Sequence, residues 1–182
     1  RGCPSARASR DRAVEGNREY DAPMSTEVEH ETVGSERDAP IVVALAGNPN
    51  VGKSTIFNAL TGLRQHTGNW PGKTVEQKSG SCTHCNHQLA FIDLPGTYSL
   101  TANSEEERIA RDYIIHKRPD VVVAVVDAAI PERSLYLLSE LLQLPAPVVL
   151  VLNMMDVASD RGVFIDPQKM SAALGDIPVI TT

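Results

Sequence analysis

The sequence predicts an α/β fold: a doubly wound, mostly parallel sheet of six strands with one antiparallel hairpin strand and its C-terminal helix missing. The first observation is a set of short, uniformly apolar runs, such as Val121–Val126 and Val148–Leu152, typical of strands buried on both faces. The second is that these runs alternate with helical segments, as parallel connections require. The third is a pair of strand-like runs around Thr83–His87, which indicates the hairpin.

The boundaries of these elements follow from apolar runs, turn residues and capping signals. Ser104 and Glu107 form a capping-box pattern at one helix start, and Asp166-Pro167 supplies an N-cap with a first-turn proline at another. The predicted strands are 41–46, 75–81, 88–92, 121–126, 148–152 and 177–180, and the predicted helices are 54–60, 104–116, 131–143 and 166–174. Residues 63–74, rich in Gly, Asn, Pro and Thr, are predicted to form a long loop.

Length and composition predict one domain with a tail. Of the 182 residues, 1–39 are polar without periodicity and are predicted to be disordered. Residues 40–182 form the predicted domain, which we expect to be truncated before its last loop and helix. The net charge of −6 gives no reason to expect a nucleic-acid partner. The three cysteines are too few and too irregularly spaced for a disulfide framework. No apolar run approaches the ~20 residues that span a bilayer.

A complete phosphate-binding pattern follows the first predicted strand and begins the first predicted helix. Its residues are Gly47, Asn48, Pro49, Asn50, Val51, Gly52, Lys53 and Ser54, with Thr55 next in the helix. Glycines allow backbone N–H groups to approach phosphates, and the helix N-terminus adds partial positive charge. Lys53 is expected to reach the β- and γ-phosphates, and Ser54 is expected to hold Mg²⁺.

A second motif, Asp93-Leu94-Pro95-Gly96, follows the strand 88–92. A carboxylate at that strand end can hold Mg²⁺ through water. The Gly96 N–H can meet the γ-phosphate. Taken alone, the same residues would also suit a strand followed by a Pro-Gly turn.

A third motif, Asn153-Met154-Met155-Asp156, follows the strand 148–152. The Asp156 carboxylate can accept hydrogens from guanine N1–H and its 2-amino group, whereas adenine would leave it unpaired. Met154 stands where this motif usually has Lys, so it can pack on the base but brings no charge. The alternative is an Asn/Asp cap of a helix or turn.

Three such motifs in this order, each at the carboxyl end of a strand, are typical of a P-loop GTPase fold that binds GTP and GDP with Mg²⁺. Many GTPases place Gln directly after the second motif to orient the attacking water, but this sequence has Thr97. We therefore expect slow hydrolysis that relies on Mg²⁺, Lys53 and backbone donors such as the Gly96 N–H.

The loop that follows Gly62 carries a more specific resemblance. Together with 93–100 and 104–114, and above all through Gly68-Asn-Trp-Pro-Gly72, it closely resembles the G domain of the ferrous iron transport protein B (FeoB) family, among the TrmE-Era-type P-loop GTPases. The resemblance covers about residues 40–182. Lys73 departs from the family pattern, where an apolar residue is more common, and is not expected to touch the chemistry.

The resemblance implies site residues, partners and a location. Thr74 corresponds to a threonine in the loop called switch I, and in the family this threonine completes the Mg²⁺ shell in the GTP state. Asn50, with backbone carbonyls of the Gly68–Trp70 stretch, is implied to hold K⁺ beside the phosphates. The implied setting is the cytosolic side of a bacterial inner membrane, joined to a transporter domain missing here, with a homo-oligomer or a small cytosolic Feo protein as candidate partners.

The catalytic groups are therefore expected to be Lys53, Thr74, Gly96 and Asn50, and hydrolysis is expected to be stimulated by K⁺. The alternative for Asn50 is a simple loop residue. GTP is expected to order switch I (residues 64–74) and switch II (residues 94–103), and hydrolysis to release them. Trp70 is expected in a mobile loop rather than a core, acting either through local packing or as a lid near the nucleotide.

A short cluster in the hairpin could bind a metal. Cys82 and Cys85 alternate with His84 and His87, a donor set that suits Zn²⁺ or Fe²⁺. Structural zinc usually draws its ligand pairs from separate segments, however, and an exposed polar turn is the simpler interpretation.

Two other functions remain open at this level. One is a related bacterial GTPase that acts on ribosomes or tRNA, which a basic RNA-binding domain downstream would favour. The other is a nucleotide-sensing module with negligible turnover, which single-turnover hydrolysis would distinguish.

Overall fold

The computed structural model describes residues 39–62 and 65–182, so the predicted disordered segment lies outside the described residues except for residue 39. The described strands are β1 (Ile41–Gly47), β2 (Gln65–Asn69), β3 (Glu76–His84), β4 (His87–Asp93), β5 (Val121–Asp127), β6 (Val148–Asn153) and β7 (Val179–Thr181). The helices are α1 (Lys53–Thr61), α2 (Glu105–Asp112), α3 (Glu132–Leu141), α4 (Met155–Asp160) and α5 (Pro167–Ala173), and a π-helical turn, Tyr113–Lys117, follows α2.

Within the described ranges, the strands form one sheet of order β2-β3-β4-β1-β5-β6-β7. The strands β4, β1, β5, β6 and β7 are parallel, and β3 pairs antiparallel with both β2 and β4. The predicted α/β fold class and its hairpin are therefore confirmed. Because β1, β4, β5 and β6 are parallel, their carboxyl ends lie at the same edge of the sheet, and the connections diverge at β1, between β4 and β5.

The sheet has seven described strands where the sequence predicted six. The additional strand is β2, which lies within the predicted loop and pairs with β3 from Gln65 opposite Gly80 to Asn69 opposite Glu76. Its residues are mostly exposed and show no apolar alternation, so hydrogen bonding to β3 rather than burial of side chains holds it in place.

The hairpin between β3 and β4 turns through two residues. Cys85 and Asn86 both have positive φ, 47° and 62°, between the paired residues His84 and His87. Two central residues of positive φ are the requirement of a type I′ turn, whose twist matches that of the flanking strands.

Apolar residues cover both faces of the parallel strands. The larger cluster joins buried residues of β5, β6, α2 and α3, such as Ile109, Val122, Leu138 and Leu150. On the opposite face Phe57 of α1 is completely buried against β1 and β4. This two-sided burial explains why the parallel strands are uniformly apolar.

The predicted helix starts are also found in the structure. Ser104 Oγ accepts from the Glu107 amide at 3.1 Å, and the Glu107 carboxylate accepts from the Ser104 amide at 3.4 Å, which completes the capping box. Asp166 Oδ1 accepts from the amides of Gln168 and Lys169. The short helix α4 was not predicted. No helix in the described ranges has the length and apolar character needed to cross a membrane.

Candidate functional site

The candidate site is a cavity of about 530 Å³ at the carboxyl edge of the sheet. It is lined by residues 48–50 and 52–55, together with Gly96 and Met154. The structure thus brings the three sequence motifs together, because they follow β1, β4 and β6, which end at the same edge.

Two positions of the phosphate-binding loop have room only for glycine. A Cβ on Gly47 would lie 2.6 Å from the Val125 carbonyl oxygen. Gly52 has φ of +82°, and a Cβ there would lie 2.1 Å from the side-chain amide nitrogen of Asn153. The loop therefore sits directly on β5 and on the start of the third motif, where any larger residue would push it out of place.

The charged centre of the site is buried. Lys53 Nζ contacts Asp93 Oδ1 and donates to the Leu94 carbonyl oxygen at 2.6 Å. Lys53 and Asp93 are only 8% and 7% exposed, so each charge is compensated by the other. Ser54, which is exposed and lines the cavity, places its Oγ 3.4 Å from Asp93 Oδ2, so a hydroxyl and a carboxylate lie together at the cavity wall.

Switch II begins against the phosphate-binding loop. The Thr97 amide donates to the Gly47 carbonyl oxygen at 3.2 Å, and Thr97 is only 5% exposed. A Cβ on Gly96 would lie 3.1 Å from the backbone of Pro49. Thr97 is therefore buried, with its backbone tied to the phosphate-binding loop.

The end of switch II is held by the carboxylate of Glu107, which lies in the following helix α2. It accepts from Ser99 Oγ at 3.0 Å and from the Asn103 amide at 2.9 Å, in addition to its capping bond with Ser104. Desolvation raises the pKa of Glu107, but these hydrogen bonds outweigh it and the net pKa lies below its ordinary value. The Leu100 amide also donates to Glu140 of α3, at 2.7 Å.

The residues of the third motif differ in their surroundings: the first bonds to the phosphate-binding loop, the second lines the cavity and the last is exposed. Asn153 Nδ2 donates to the Val51 carbonyl oxygen at 2.9 Å, and Asn153 Oδ1 accepts from Thr182 Oγ1 at 2.8 Å. Met154, with φ of 63°, lines the cavity. Met155 is half-buried, and Asp156 is exposed in the first turn of α4. The structure thus makes Asn153 a support of the phosphate-binding loop.

Two supports of the site have no sequence signal. Asn48 Nδ2 donates to the backbone carbonyl oxygen of Arg133 at 2.8 Å, which ties the loop to α3. A carbonyl acceptor is common to all residues, so no pattern could have indicated Arg133. The Thr182 hydroxyl, which donates to Asn153 Oδ1, is likewise without a signal, because Thr182 lies just beyond β7 and belongs to no motif of the sequence.

The described part of switch I lies away from the cavity; residue 64 falls outside the described residues. Gly68 is in β2 and Thr74 is exposed in the following turn, and neither lines the cavity. Trp70 is 8% exposed and belongs to the main core cluster. The expectation that Trp70 lies outside a core is therefore wrong, because its ring packs edge-to-face on Tyr113 in the π-helical turn.

Cys82 and Cys85 lie on the hairpin of β3 and β4, and neither lines the cavity. Cys82 is half-buried and packs against the apolar cluster around Phe57, whereas Cys85 is in the type I′ turn. Among residues 39–62 and 65–182, no three His, Cys, Asp or Glu side chains come together as a metal site. The structure therefore adds no third ligand from the described residues to this pair.

Comparisons with known proteins agree on one family. The family model described as "Ferrous iron transport protein B" matches residues 41–182. The Fe(2+) transporter FeoB of Legionella pneumophila is 50% identical over 135 residues, which are 72% of this chain and 18% of that protein. The chain thus spans about a fifth of the length of the curated relatives it matches.

Solved structures match the fold as well. The G domain of the Thermotoga maritima FeoB iron transporter is 47% identical, with a TM-score of 0.74 over 79% of this chain and 87% of that one. The T. maritima cytosolic domain in its GMPPNP form is 48% identical, with a TM-score of 0.73 over 78% of this chain and 56% of that one. The chain therefore belongs to the ferrous iron transport protein B family, and its described sheet and helices form the G domain of that family, with a P-loop GTPase fold.

Proposed function

We propose that this chain is the GTP-binding and GTP-hydrolysing cytosolic domain of a bacterial ferrous iron transporter, in which it acts as a nucleotide switch for iron uptake. The observation that carries the proposal is the buried pair of Lys53 and Asp93, with the exposed Ser54 hydroxyl beside it, at a glycine-constrained loop that lines the cavity. Structures of the T. maritima cytosolic domain in GDP and GMPPNP forms support guanine nucleotide as the ligand.

Phosphate binding follows from the loop and from Lys53. Residues 52–55 at the start of α1 line the cavity, and the first amides of a helix have no partner within the helix, so a negative charge there is stabilised by these N–H groups and by the helix dipole. Lys53 already lies in the cavity wall, so its ammonium group can exchange the Asp93 carboxylate for a phosphate oxygen with only a side-chain rotation.

The oxygen donors near Lys53 fit Mg²⁺. Ser54 Oγ and Asp93 Oδ2 lie 3.4 Å apart, and Mg²⁺ prefers such hard oxygen ligands combined with waters and substrate phosphates. When bound, Mg²⁺ neutralises charge on the β- and γ-phosphates. Thr74 is proposed to join these ligands after switch I moves, since in this structure it does not line the cavity.

Base recognition is assigned to the third motif. Met154 lines the cavity, so its apolar side chain can pack on a purine face. Asp156 is proposed to accept hydrogen bonds from guanine N1–H and from the 2-amino group. Asn153 acts indirectly, by holding the carbonyl of Val51 and hence the loop that binds phosphate.

Hydrolysis is proposed to be slow and stimulated by K⁺. Thr97 replaces the usual glutamine and is buried with its amide bound to Gly47, so charge stabilisation must come from Lys53, the Gly96 N–H and bound cations. Asn50 lines the cavity and can offer its side-chain oxygen to K⁺. The carbonyls of Gly68 and Trp70 are proposed to join it in the closed form of switch I.

The setting in the cell is likewise a proposal from the family. The domain is expected on the cytosolic side of the bacterial inner membrane, joined to a transporter domain. A homo-oligomer and a small cytosolic Feo protein remain candidate partners, and guanine nucleotide is the proposed ligand.

Competition binding tests this function directly. Fluorescent GDP bound to the chain should be displaced by GTP and GDP but at least ~100-fold less well by ATP. Asp156→Asn should weaken GTP binding by a similar factor, whereas Asp160→Asn, in the same exposed helix, should leave it unchanged. Equal displacement by ATP and GTP would overturn the proposal. Single-turnover hydrolysis at saturating protein separates an enzyme from a nucleotide sensor, since a sensor would leave GTP intact.

A further inference from the structure

Switch I is fixed at two points to the helical segment that follows switch II. The Trp70 ring meets the Tyr113 ring edge-to-face, with centroids 5.4 Å apart and an interplanar angle of 73°. Three residues beyond Trp70, Lys73 Nζ lies 3.3 Å from Glu105 Oε1 at the start of α2. The same turn is therefore anchored by an aromatic pair at one end and by an ion pair at the other.

The turn between these two points is itself closed by hydrogen bonds. The Lys73 amide donates to the Trp70 carbonyl oxygen, and the Trp70 amide donates to the Val75 carbonyl oxygen, both at 2.9 Å. Thr74 lies inside this turn. It therefore cannot reach the phosphate cavity while Trp70 and Lys73 keep their contacts, and the Trp70 carbonyl is engaged by Lys73.

We propose that Trp70–Tyr113 and Lys73–Glu105 form a latch that holds switch I in its open position, and that binding of a nucleoside triphosphate must release it. The inference rests on the proposed GTP switch and adds the contacts that set its equilibrium. A ligand shifts such an equilibrium only through its different affinity for the two positions, so the strength of the latch sets the concentration of GTP needed for closure.

Two features keep the latch weak enough to open. Lys73 and Glu105 are 40% and 34% exposed at their side chains, so solvent screens their attraction. Trp70 Nε1 is buried, and in the described part of the chain it has no hydrogen-bond partner. This unmade bond makes the packing of the indole against Tyr113 less favourable in free energy. Beside the rings lies a cavity of about 270 Å³ lined by Trp70 and Tyr113, which gives the indole room to leave.

Trp70 is the single tryptophan of the sequence, so its fluorescence reports the latch directly. In Tyr113→Leu, acrylamide should quench Trp70 more strongly than in the wild-type chain without nucleotide, whereas Tyr113→Phe, which keeps the ring, should resemble wild type. A non-hydrolysable GTP analogue with Mg²⁺ and K⁺ should change Trp70 emission in every variant. We call the analogue concentration that gives half of this emission change the half-change concentration. Relative to wild type, it should fall roughly three- to ten-fold in Tyr113→Leu and roughly two- to five-fold in Glu105→Gln.

Controls separate the latch from the nucleotide site. Glu106→Gln, next to Glu105 on α2, should leave the half-change concentration at the wild-type value. GDP affinity should stay within about two-fold of wild type in all four variants, because none of these residues lines the phosphate cavity. If the analogue binds while Trp70 emission stays constant, or if neither Tyr113→Leu nor Glu105→Gln shifts the half-change, the latch is refuted and the GTP site stands. If the wild-type chain binds no guanine nucleotide, the proposed function and the latch fail together.

Discussion

The side-chain amide of Asn153 donates a 2.9 Å hydrogen bond to the carbonyl oxygen of Val51, across 102 positions of sequence. This bond joins the end of β6 to the middle of the phosphate-binding loop. The same amide nitrogen fills the space in which a Cβ on Gly52 would stand. The phosphate-binding loop and the segment Asn153–Asp156, which is proposed to recognise the base, therefore form one unit that Asn153 holds together.

Asn153→Ala should therefore weaken nucleotide binding although Asp156 and Lys53 are intact. The substitution leaves the Val51 carbonyl without its donor, a loss worth about 1–3 kcal/mol, so GDP and GTP affinities should both fall roughly 5- to 150-fold. Titration calorimetry measures both.

Thr182→Val is the matched control for that substitution. It removes only the hydroxyl that donates to Asn153 Oδ1 and leaves the bond to Val51 in place. Its effect on affinity should be clearly smaller. If Asn153→Ala bound GDP and GTP as tightly as the wild-type chain, the loop would keep its shape without the bond from Asn153 to Val51.

The sequence was a sufficient guide where the structural requirement is local. The stretch Gly47–Ser54 predicted its own loop and helix because the glycine spacing, the lysine and the strand before it are contiguous in the chain. The capping box at Ser104 and the N-cap at Asp166 were predictable for the same reason. Apolar runs likewise predicted the buried parallel strands.

The features that the sequence did not predict depend on distant partners. The strand β2 has no apolar alternation and exists through its pairing with β3. Trp70 lies in a stretch rich in Gly and Pro that is typical of a loop, and its burial requires the ring of Tyr113, 43 positions away (113 − 70). The support of Asn48 by the Arg133 carbonyl involves a backbone atom that no residue pattern identifies.

Gly52→Ala should destabilise the fold more than a glycine substitution of the same backbone geometry elsewhere. Gly52 combines φ of +82° with a 2.1 Å collision of the added Cβ against Asn153. Gly162 has φ of +74° and nothing within 4 Å of its Cβ position, so Gly162→Ala isolates the backbone cost of about 1–2 kcal/mol. Chemical denaturation of both variants should give a larger loss of unfolding free energy for Gly52→Ala, and equal losses would contradict the collision.

Glu107 should make the stability of switch II depend on acid pH. Its folded-state pKa lies below the ordinary value of 4.5, so its contribution is fully present above that value and is lost as the pH falls through the lower folded pKa. Glu107→Gln should therefore lower the unfolding free energy by roughly 1 kcal/mol at pH 7, and the difference from wild type should shrink as the pH falls below 4.5.

Glu106→Gln provides the comparison for Glu107 in the same helical turn, where the side chain is exposed. Chemical denaturation of the wild-type chain, Glu107→Gln and Glu106→Gln at pH 7 and at low pH gives the differences in unfolding free energy. A Glu107→Gln effect of equal size at both pH values would mean that the carboxylate charge is unimportant for the loop.

Substitutions of Asn50 test whether its side chain or its backbone matters for K⁺. Asn50 has φ of 66°, a conformation that Asn tolerates better than Ala, so Asn50→Ala combines loss of the side-chain oxygen with backbone strain. Asn50→Gly removes the same oxygen without strain. If the oxygen binds K⁺, GTP hydrolysis should be faster in K⁺ than in Na⁺ for the wild-type chain and equal in the two buffers for both variants. A K⁺ response that survives in Asn50→Gly but not in Asn50→Ala would instead assign the effect to the loop backbone, and equal rates in K⁺ and Na⁺ for the wild-type chain would remove K⁺ from the mechanism.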